Sequence, residues 1–460
     1  MEKSKIFALI DANQEALIDM AMDLWNNPEL SHEEKRSSKL QADYLQGLGF
    51  TIKEIPNNPT SFIAEYGYGT PIIGVTGEYD ALPKLSQKAC SVREPAKAAD
   101  DPGHACGHNL LGTGGVGAVV ALKQVMDAEK LPGTIRYYGC AAEETLAGKP
   151  LIAREGVFAD LDACISWHPS FINTLWGCSF LAMNSLKFHF TGIPSHAAAA
   201  PEAGRSALDA VELMDIGANY LREHVTDSVR IHYAITNGGG LPNTVPAEAE
   251  VWYYVRAPKR SQVQDTTKRL IKIAQGAAMM TETTMDYKLL AGCYDVIANH
   301  VLGDVILENM QLTGGPAFDA ADYEFADGFA QQIDPVAKES VKKSYFAPST
   351  LGDVILSKDV LANEDYGKVM PGSTDVGDVS YITPFAQMTA ACWPVGISSH
   401  TWMSCACTGS SIGMKALLFV AKSLAGSMYD LLTKPETLQA AKDEFQATLK
   451  GQKYISAFDE

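Results

Sequence analysis

The chain has 460 residues, more than one ordinary hydrophobic core serves, so several domains, or one domain interrupted by another, are expected. Hydrophobic residues make up 46% and charged residues 20%, which excludes general disorder. With 55 acidic against 37 basic residues the formal charge is −18, so a phosphate backbone is repelled and nucleic acid is not an expected partner.

The opening stretch to about Asn26 has helical spacing, and Asp11 and Glu15 interrupt it before an apolar signal core can develop. Ser31 followed by Glu34 predicts a capping box and a second helix running to Gly47 or Gly49. Strands are predicted at 62–66 and 71–76, ending in the polar cluster Gly77-Glu78-Tyr79-Asp80, and residues 84–103 read as a long loop of the kind that serves a site. A Gly-rich helix start follows His108. Strands at 134–140 and 162–167 end at Glu143-Glu144 and at His168-Pro169, with Pro169 stopping the ladder. Helices alternating with short apolar strands predict an α/β sheet whose ligands gather at the carboxyl ends of its strands.

From residue 184 the pattern changes. Strands at 184–191, 229–237, 248–256 and 283–290 with helices at 204–223 and 262–282 give the order βαββαβ, a ferredoxin-like unit. The predicted organisation is a catalytic α/β domain over 1–183 and 292–460, interrupted by the small domain at 184–291. Residues 333–372 show no period, 389–397 reads as a strand, and the end of the chain is helical. No apolar run approaches the roughly 18–20 residues of a bilayer-spanning helix, so a cytoplasmic chain with no membrane association is expected. An odd count of nine cysteines suits reduced thiols. Cys90, Cys140, Cys164, Cys178, Cys293 and Cys392 read as small buried hydrophobes, and nothing near Cys405 and Cys407 completes a metal site.

Cys106 and His108, two residues apart in a Gly-flanked turn, can converge on one zinc-like cation. Glu143 and Glu144 follow a buried strand, where adjacent residues point to opposite sides, so one can bind a metal and the other address its water. His168 and His400 taken singly read as structural. Four such groups at four strand ends of one sheet make a site the stronger reading.

The stretches GEYDALPKLSQ (77–87), GHACGHNLLGT (103–113), YYGCAAEE (137–144), WHP (167–169), AITNGGG (234–240), STDVGDVS (373–380) and SHTW (399–402) resemble, in order along the chain, the dinuclear-metal peptidase and amidohydrolase family that includes hippurate hydrolase and the indole-acetyl-amino-acid hydrolases. The resemblance implies two divalent ions, Mn²⁺ or Zn²⁺, bridged by Cys106 and held further by His108, Glu144, His168 and His400. It makes Glu143 the general base, His196 an oxyanion stabiliser reaching the partner's site, Asn243 a residue of related role, and Arg256 the grip on a substrate carboxylate. Arg205 is a weaker carboxylate candidate. Glu78 stands where other branches have the His of an H-x-D motif, which removes that ligand unless Glu78 substitutes for it; Asp80 is retained beside the ligands. Asn109 replaces an Asp, and Gly377 a Glu, of many relatives. The implied activity is hydrolysis of the amide of p-aminobenzoyl-glutamate or a related N-acyl amino acid or dipeptide. The implied assembly is a homodimer through the small domain, acting as a lid, or a heteromer with a homologous A-type chain. A non-catalytic or regulatory role within such a heteromer is the alternative, and the complete ligand set argues against it.

Overall fold

The structure, a computed structural model, describes residues 3–459. The described residues divide into two compact units, one comprising 3–179, 297–370 and 378–454, the other 180–296, 371–377 and 455–459.

The larger unit is built on a seven-stranded mixed sheet in the order Thr51–Glu54, Phe62–Tyr68, Gly133–Cys140, Ile72–Glu78, Ala163–Ser170, Phe385–Ala391, Thr174–Trp176. The four strands from Gly133–Cys140 to Phe385–Ala391 are mutually parallel, and the flanking pairs are antiparallel. The parallel strands therefore end on one side, where the connecting loops can converge. Helix His108–Glu129, buried along most of its length, packs against this sheet and against helix Ser411–Thr433. Trp167 ties the layers together: its buried indole donates from Nε1 to the carbonyl of Leu111 at 2.9 Å.

Several expectations need correction. The first helix is two, Ser4–Ala12 and Gln14–Asn26, broken at Asn13, whose amide bonds the Tyr44 hydroxyl. The capping box does not form. The second helix starts at Lys35, because the Ser31 hydroxyl is spent on Asp80 and the Glu34 carboxylate on the Ala142 amide. Pro169 does not stop its ladder, for strand Ala163–Ser170 pairs in parallel beyond it with Phe385–Ala391. That partner lies earlier than 389–397, since the chain turns away at Pro394 and Gly396. One helix, Ser411–Thr433, is long and apolar enough to cross a membrane by length and composition, contrary to expectation, but 78% of its apolar stretch is buried in the larger unit's core. Its charges are paired: Lys415 with Asp319 and Lys422 with Asp11, each at 2.6 Å, and Asp430 with Lys3 and Lys434.

The smaller unit has a four-stranded antiparallel sheet in the order Thr284–Cys293, Ala182–Thr191, Glu248–Ala257, Arg230–Asn237, with helices Ala207–Leu221 and Arg260–Thr281. This is the ferredoxin-like arrangement, with its own core around Phe188, Phe190, Val251 and Tyr253. Alternate residues of Glu248–Ala257 are buried, as a sheet with one covered face requires. Arg230–Asn237 is an edge strand with Tyr233 and Ile235 exposed.

Trp167→Phe removes the indole N–H bond to the Leu111 carbonyl and leaves part of the indole's volume unfilled, so unfolding in urea should show a loss of about 1–3 kcal/mol. A variant as stable as the wild type would mean that this bond does not join the layers.

Candidate metal centre

The site is assembled at the carboxyl ends of the parallel strands. Strand Ile72–Glu78 delivers Glu78 and, two residues on, Asp80. After the long loop, Cys106 and His108 flank Gly107, whose φ of 86° belongs to the left-handed region, and a Cβ there would lie 2.8 Å from Pro169 Cγ. Glycine thus lets the thiol and the imidazole turn to one side. His108 opens the helix, fully buried, with the Nδ1–H donating to Asp80 Oδ1 at 2.8 Å. Its Nε2 faces Glu78 Oε2 at 3.2 Å; burial works downward on this imidazole, but Cys106, Asp80 and Glu78 outweigh it and raise it well above its usual range.

Glu143 and Glu144 are not strand residues as expected. The strand ends at Cys140, Ala142 turns left-handed at φ 58°, and Glu143–Thr145 form a single 3₁₀ turn. The two carboxylates diverge because of this turn rather than because of a pleat. The Glu144 amide donates to Asp80 Oδ2 at 2.9 Å, and Gly148 closes behind it so tightly that a Cβ would sit 1.7 Å from the Ala141 carbonyl. His168 lies inside strand Ala163–Ser170, its Nδ1 bonded to the Pro169 carbonyl at 2.8 Å and its Nε2 3.5 Å from Cys106 Sγ. His400, half exposed and at φ 62°, puts Nε2 3.4 Å from Glu144 Oε2.

Three sets of donor atoms lie within 4.8 Å of one another: Cys106, His108 and His168; Cys106, Glu144 and His400; and Glu78, His108 and Glu143. The first two share the Cys106 sulfur. The donors fit divalent cations on a direct observation, since Glu78 Oε2, His108 Nε2 and Glu144 Oε1 are all buried with no hydrogen-bond partner among the described residues. Leaving such atoms unsatisfied is costly unless something charged completes them.

Electrostatics agree. Burial pushes the Cys106 thiol well up, and Glu144 adds to it. Burial raises the Glu144 carboxyl to about 8, aided by Asp80 and Glu78 and opposed by His108. Burial lowers His168 to about 4, so it is a neutral donor at pH 7; for the half-exposed His400, partial desolvation and the neighbouring His108 act in the same direction. For Glu78, burial works upward, but Lys149, His108 and His168 outweigh it and the carboxyl is held down.

Lys149 was missed by sequence reasoning. Its ammonium, with no side-chain exposure, ion-pairs with Glu78 Oε1, leaving Oε2 facing His108 Nε2 at 3.2 Å. Trp176 and Tyr345 were also missed. The Trp176 ring lies 5.2 Å from that of His168, and Tyr345 is stacked on Trp176. Trp176 sits in a short apolar run, and Tyr345 lies in the polar, unassigned segment 333–372, features that marked neither ring.

Other predicted residues lie elsewhere. Among the described residues, Cys405 and Cys407 join no donor set, and Cys90 is half-buried rather than buried. Asn109 Nδ2 donates to the carbonyls of Thr408 and Ala21, a task an Asp could not perform. Gly377 has no room for a side chain, because a Cβ would meet the Tyr294 carbonyl at 2.1 Å. In the smaller unit His196 and Asn243 are neighbours: His196 bridges Thr244, and the Ala197 amide donates to the Asn243 carbonyl at 2.9 Å. Both are exposed. The half-buried Arg256 guanidinium lies over the Tyr254 ring at 5.4 Å, and its buried Nε has no hydrogen-bond partner among the described residues. Arg205 is already paired with Glu282 at 2.7 Å.

The sequence profile of peptidase family M20/M25/M40 matches residues 74–288. The chain is 38% identical to the B-type chain of p-aminobenzoyl-glutamate hydrolase from Escherichia coli over 456 residues, covering 97% of this chain and 95% of that one. The chain belongs to the M20 family. Within the family it is also 28% identical to the Xaa-Arg dipeptidase of Mus musculus, over 97% of this chain and 93% of the relative. The solved structure of a dinuclear metal binding peptidase of the M20 family from Bacillus subtilis shares the fold at a TM-score of 0.58 and 19% identity, covering 92% of this chain and 99% of that one. Membership makes the chain a metallo-hydrolase of the M20 kind.

Lys149→Ala should leave Glu78 buried without its cation, lowering the stability of metal-stripped protein in urea by about 3–5 kcal/mol. Combining it with Glu78→Gln should recover much of the loss; a double variant no better than the single would mean that the pair is not what Lys149 contributes.

Proposed function

We propose that the chain hydrolyses the amide bond of N-acyl amino acids, p-aminobenzoyl-glutamate foremost, at a centre of two divalent ions. The observation that carries this is the pair of three-donor sets sharing Cys106. Cys106, His108 and His168 would hold one ion, and Cys106, Glu144 and His400 the other. Thiolate and imidazole donors suit Zn²⁺, and the carboxylates admit Mn²⁺. Bound there, the ions would supply Lewis acidity to the amide carbonyl and acidify a water.

The rest falls to the chain's own groups. Glu143, buried beside His108 but in neither of these two sets, takes the proton of the attacking water and returns it to the leaving nitrogen. His196 stabilises the oxyanion in the active site of a partner chain, with Asn243 beside it, and Arg256 grips the substrate's α-carboxylate. The small unit serves as lid and dimerisation domain, its exposed edge strand Arg230–Asn237 offering ladder groups to a second copy or to a homologous A-type chain. Two likenesses support the heteromer. The E. coli relative is named as one of two kinds of chain in its hydrolase, and this chain is also 29% identical, over 41% of its length, to the A-type chain of that hydrolase. An odd number of thiols, one of them a ligand, suits a reducing cytoplasm.

Metal affinity should weaken as the pH is lowered. Cys106 is raised well above its usual range and Glu144 to about 8, so both carry protons at pH 7 in metal-free protein and must lose them on binding. Titration calorimetry of Zn²⁺ or Mn²⁺ in buffers of different ionisation enthalpy should show proton release, and chelation should abolish activity that added metal restores. Binding with no proton release would contradict the ligand assignment.

Substitutions separate the roles. Glu143→Gln should keep its metal while kcat falls by about 10²–10⁴, whereas Glu144→Gln should lose metal as well. His196→Ala should lower kcat with metal content unchanged. If Glu143→Gln rather than Glu144→Gln loses metal, the two carboxylates have exchanged roles.

A further inference from the structure

We infer that Tyr345 and Trp176 form the subsite for a flat, uncharged aryl group on the acyl side of the substrate, and that Tyr345 sets the preference for aromatic over aliphatic acyl groups. This rests on the hydrolase reading above and deepens it. The Trp176 ring, at the end of strand Thr174–Trp176, is 5.2 Å from the His168 ring. Tyr345, just past helix Pro335–Ser344, lies parallel to Trp176 within 10° at a centroid separation of 6.4 Å. Phe171 backs Tyr345 edge-on at 5.4 Å and is fully buried, so the stack cannot retreat into the sheet. The Tyr345 hydroxyl is tied to Ser399 Oγ at 3.0 Å, next to His400. The aromatic pair, Trp176 largely buried and Tyr345 half-buried, therefore links one proposed metal ligand, His168, to the neighbour of another, His400.

The chemistry of that surface decides which part of a substrate it takes. The face of an aromatic ring carries partial negative charge and offers a carboxylate neither counter-charge nor hydrogen bonds. The glutamate end of an N-acyl-glutamate is thus a poor occupant, and Arg256 is the better match for it. A neutral ring conjugated to the scissile carbonyl gains offset or edge-to-face contact and buried area. Tyr345 enters from the aperiodic segment 333–372, which otherwise contributes no group to the donor cluster.

The test compares kcat/KM for p-aminobenzoyl-glutamate and N-acetyl-glutamate, which differ only in the acyl group. Tyr345→Ala should lower the aryl-to-acetyl ratio by about tenfold or more, and Tyr345→Phe should hold it within about threefold. In parallel, calorimetry of metal-loaded protein should show tighter binding of p-aminobenzoate than of cyclohexanecarboxylate, a preference that Tyr345→Ala loses. An unchanged ratio in Tyr345→Ala, or an equal shift in Tyr345→Phe, overturns the assignment; the second result would make the Ser399 bond, not the ring, the operative feature. If the wild type cleaves neither substrate, the hydrolase reading fails, and the binding comparison still decides the subsite by itself.

Discussion

Three parts of the chain meet on the carboxylate of Asp80. Its Oδ1 accepts from His108 Nδ1 at 2.8 Å, and its Oδ2 accepts from the Ser31 hydroxyl and the Glu144 amide, both at 2.9 Å. Burial alone would raise this carboxyl, but His108 beside it keeps it ionised. The consequences spread outward. The imidazole is oriented with Nε2 toward the donor cluster, the 3₁₀ turn is pinned so that Glu143 and Glu144 diverge, and the segment before the third helix is drawn in at the expense of its capping box. A buried carboxylate with three donors is well satisfied, which is why one residue can organise so much.

Around that hub the cluster gathers carboxylates and a thiol out of contact with solvent. Glu78, Asp80, Cys106 and Glu143 are all buried, and Lys149 is a buried cation among them. The excess of donors over protein cations is the electrostatic signature of a site for divalent ions. The half-exposed His400 shows where such a site opens to solvent. Lys149 gives Glu78 a definite geometry, one oxygen engaged and the other turned to His108, and so makes a strand-end glutamate compatible with the crowding.

The two units hold their candidate residues on different scaffolds. The larger gathers the thiol, imidazole and carboxylate groups of the candidate centre at the ends of a parallel sheet, where a rigid scaffold places atoms well. The smaller carries the half-buried Arg256 on an antiparallel strand with one covered face, and His196 and Asn243 on exposed loops outside its strands.

The sequence by itself determined the fold class and most of the residues that cluster. Period and strand length exposed the parallel strands and the βαββαβ unit, and a Cys, His or Glu at a strand end stands out because apolar residues surround it. What it could not determine were features made by contacts distant along the chain. The role of Ser31 depends on Asp80, 49 residues away. Lys149 meets Glu78 across 71 residues, and Tyr345 reaches Ser399 across 54. The divergence of Glu143 and Glu144 comes from a left-handed Ala142, a conformation that no local pattern marks. Periodicity records which face of an element is buried, whereas hydrogen-bond partners and ring contacts are settled only when separate elements pack, and the tertiary structure alone decided those.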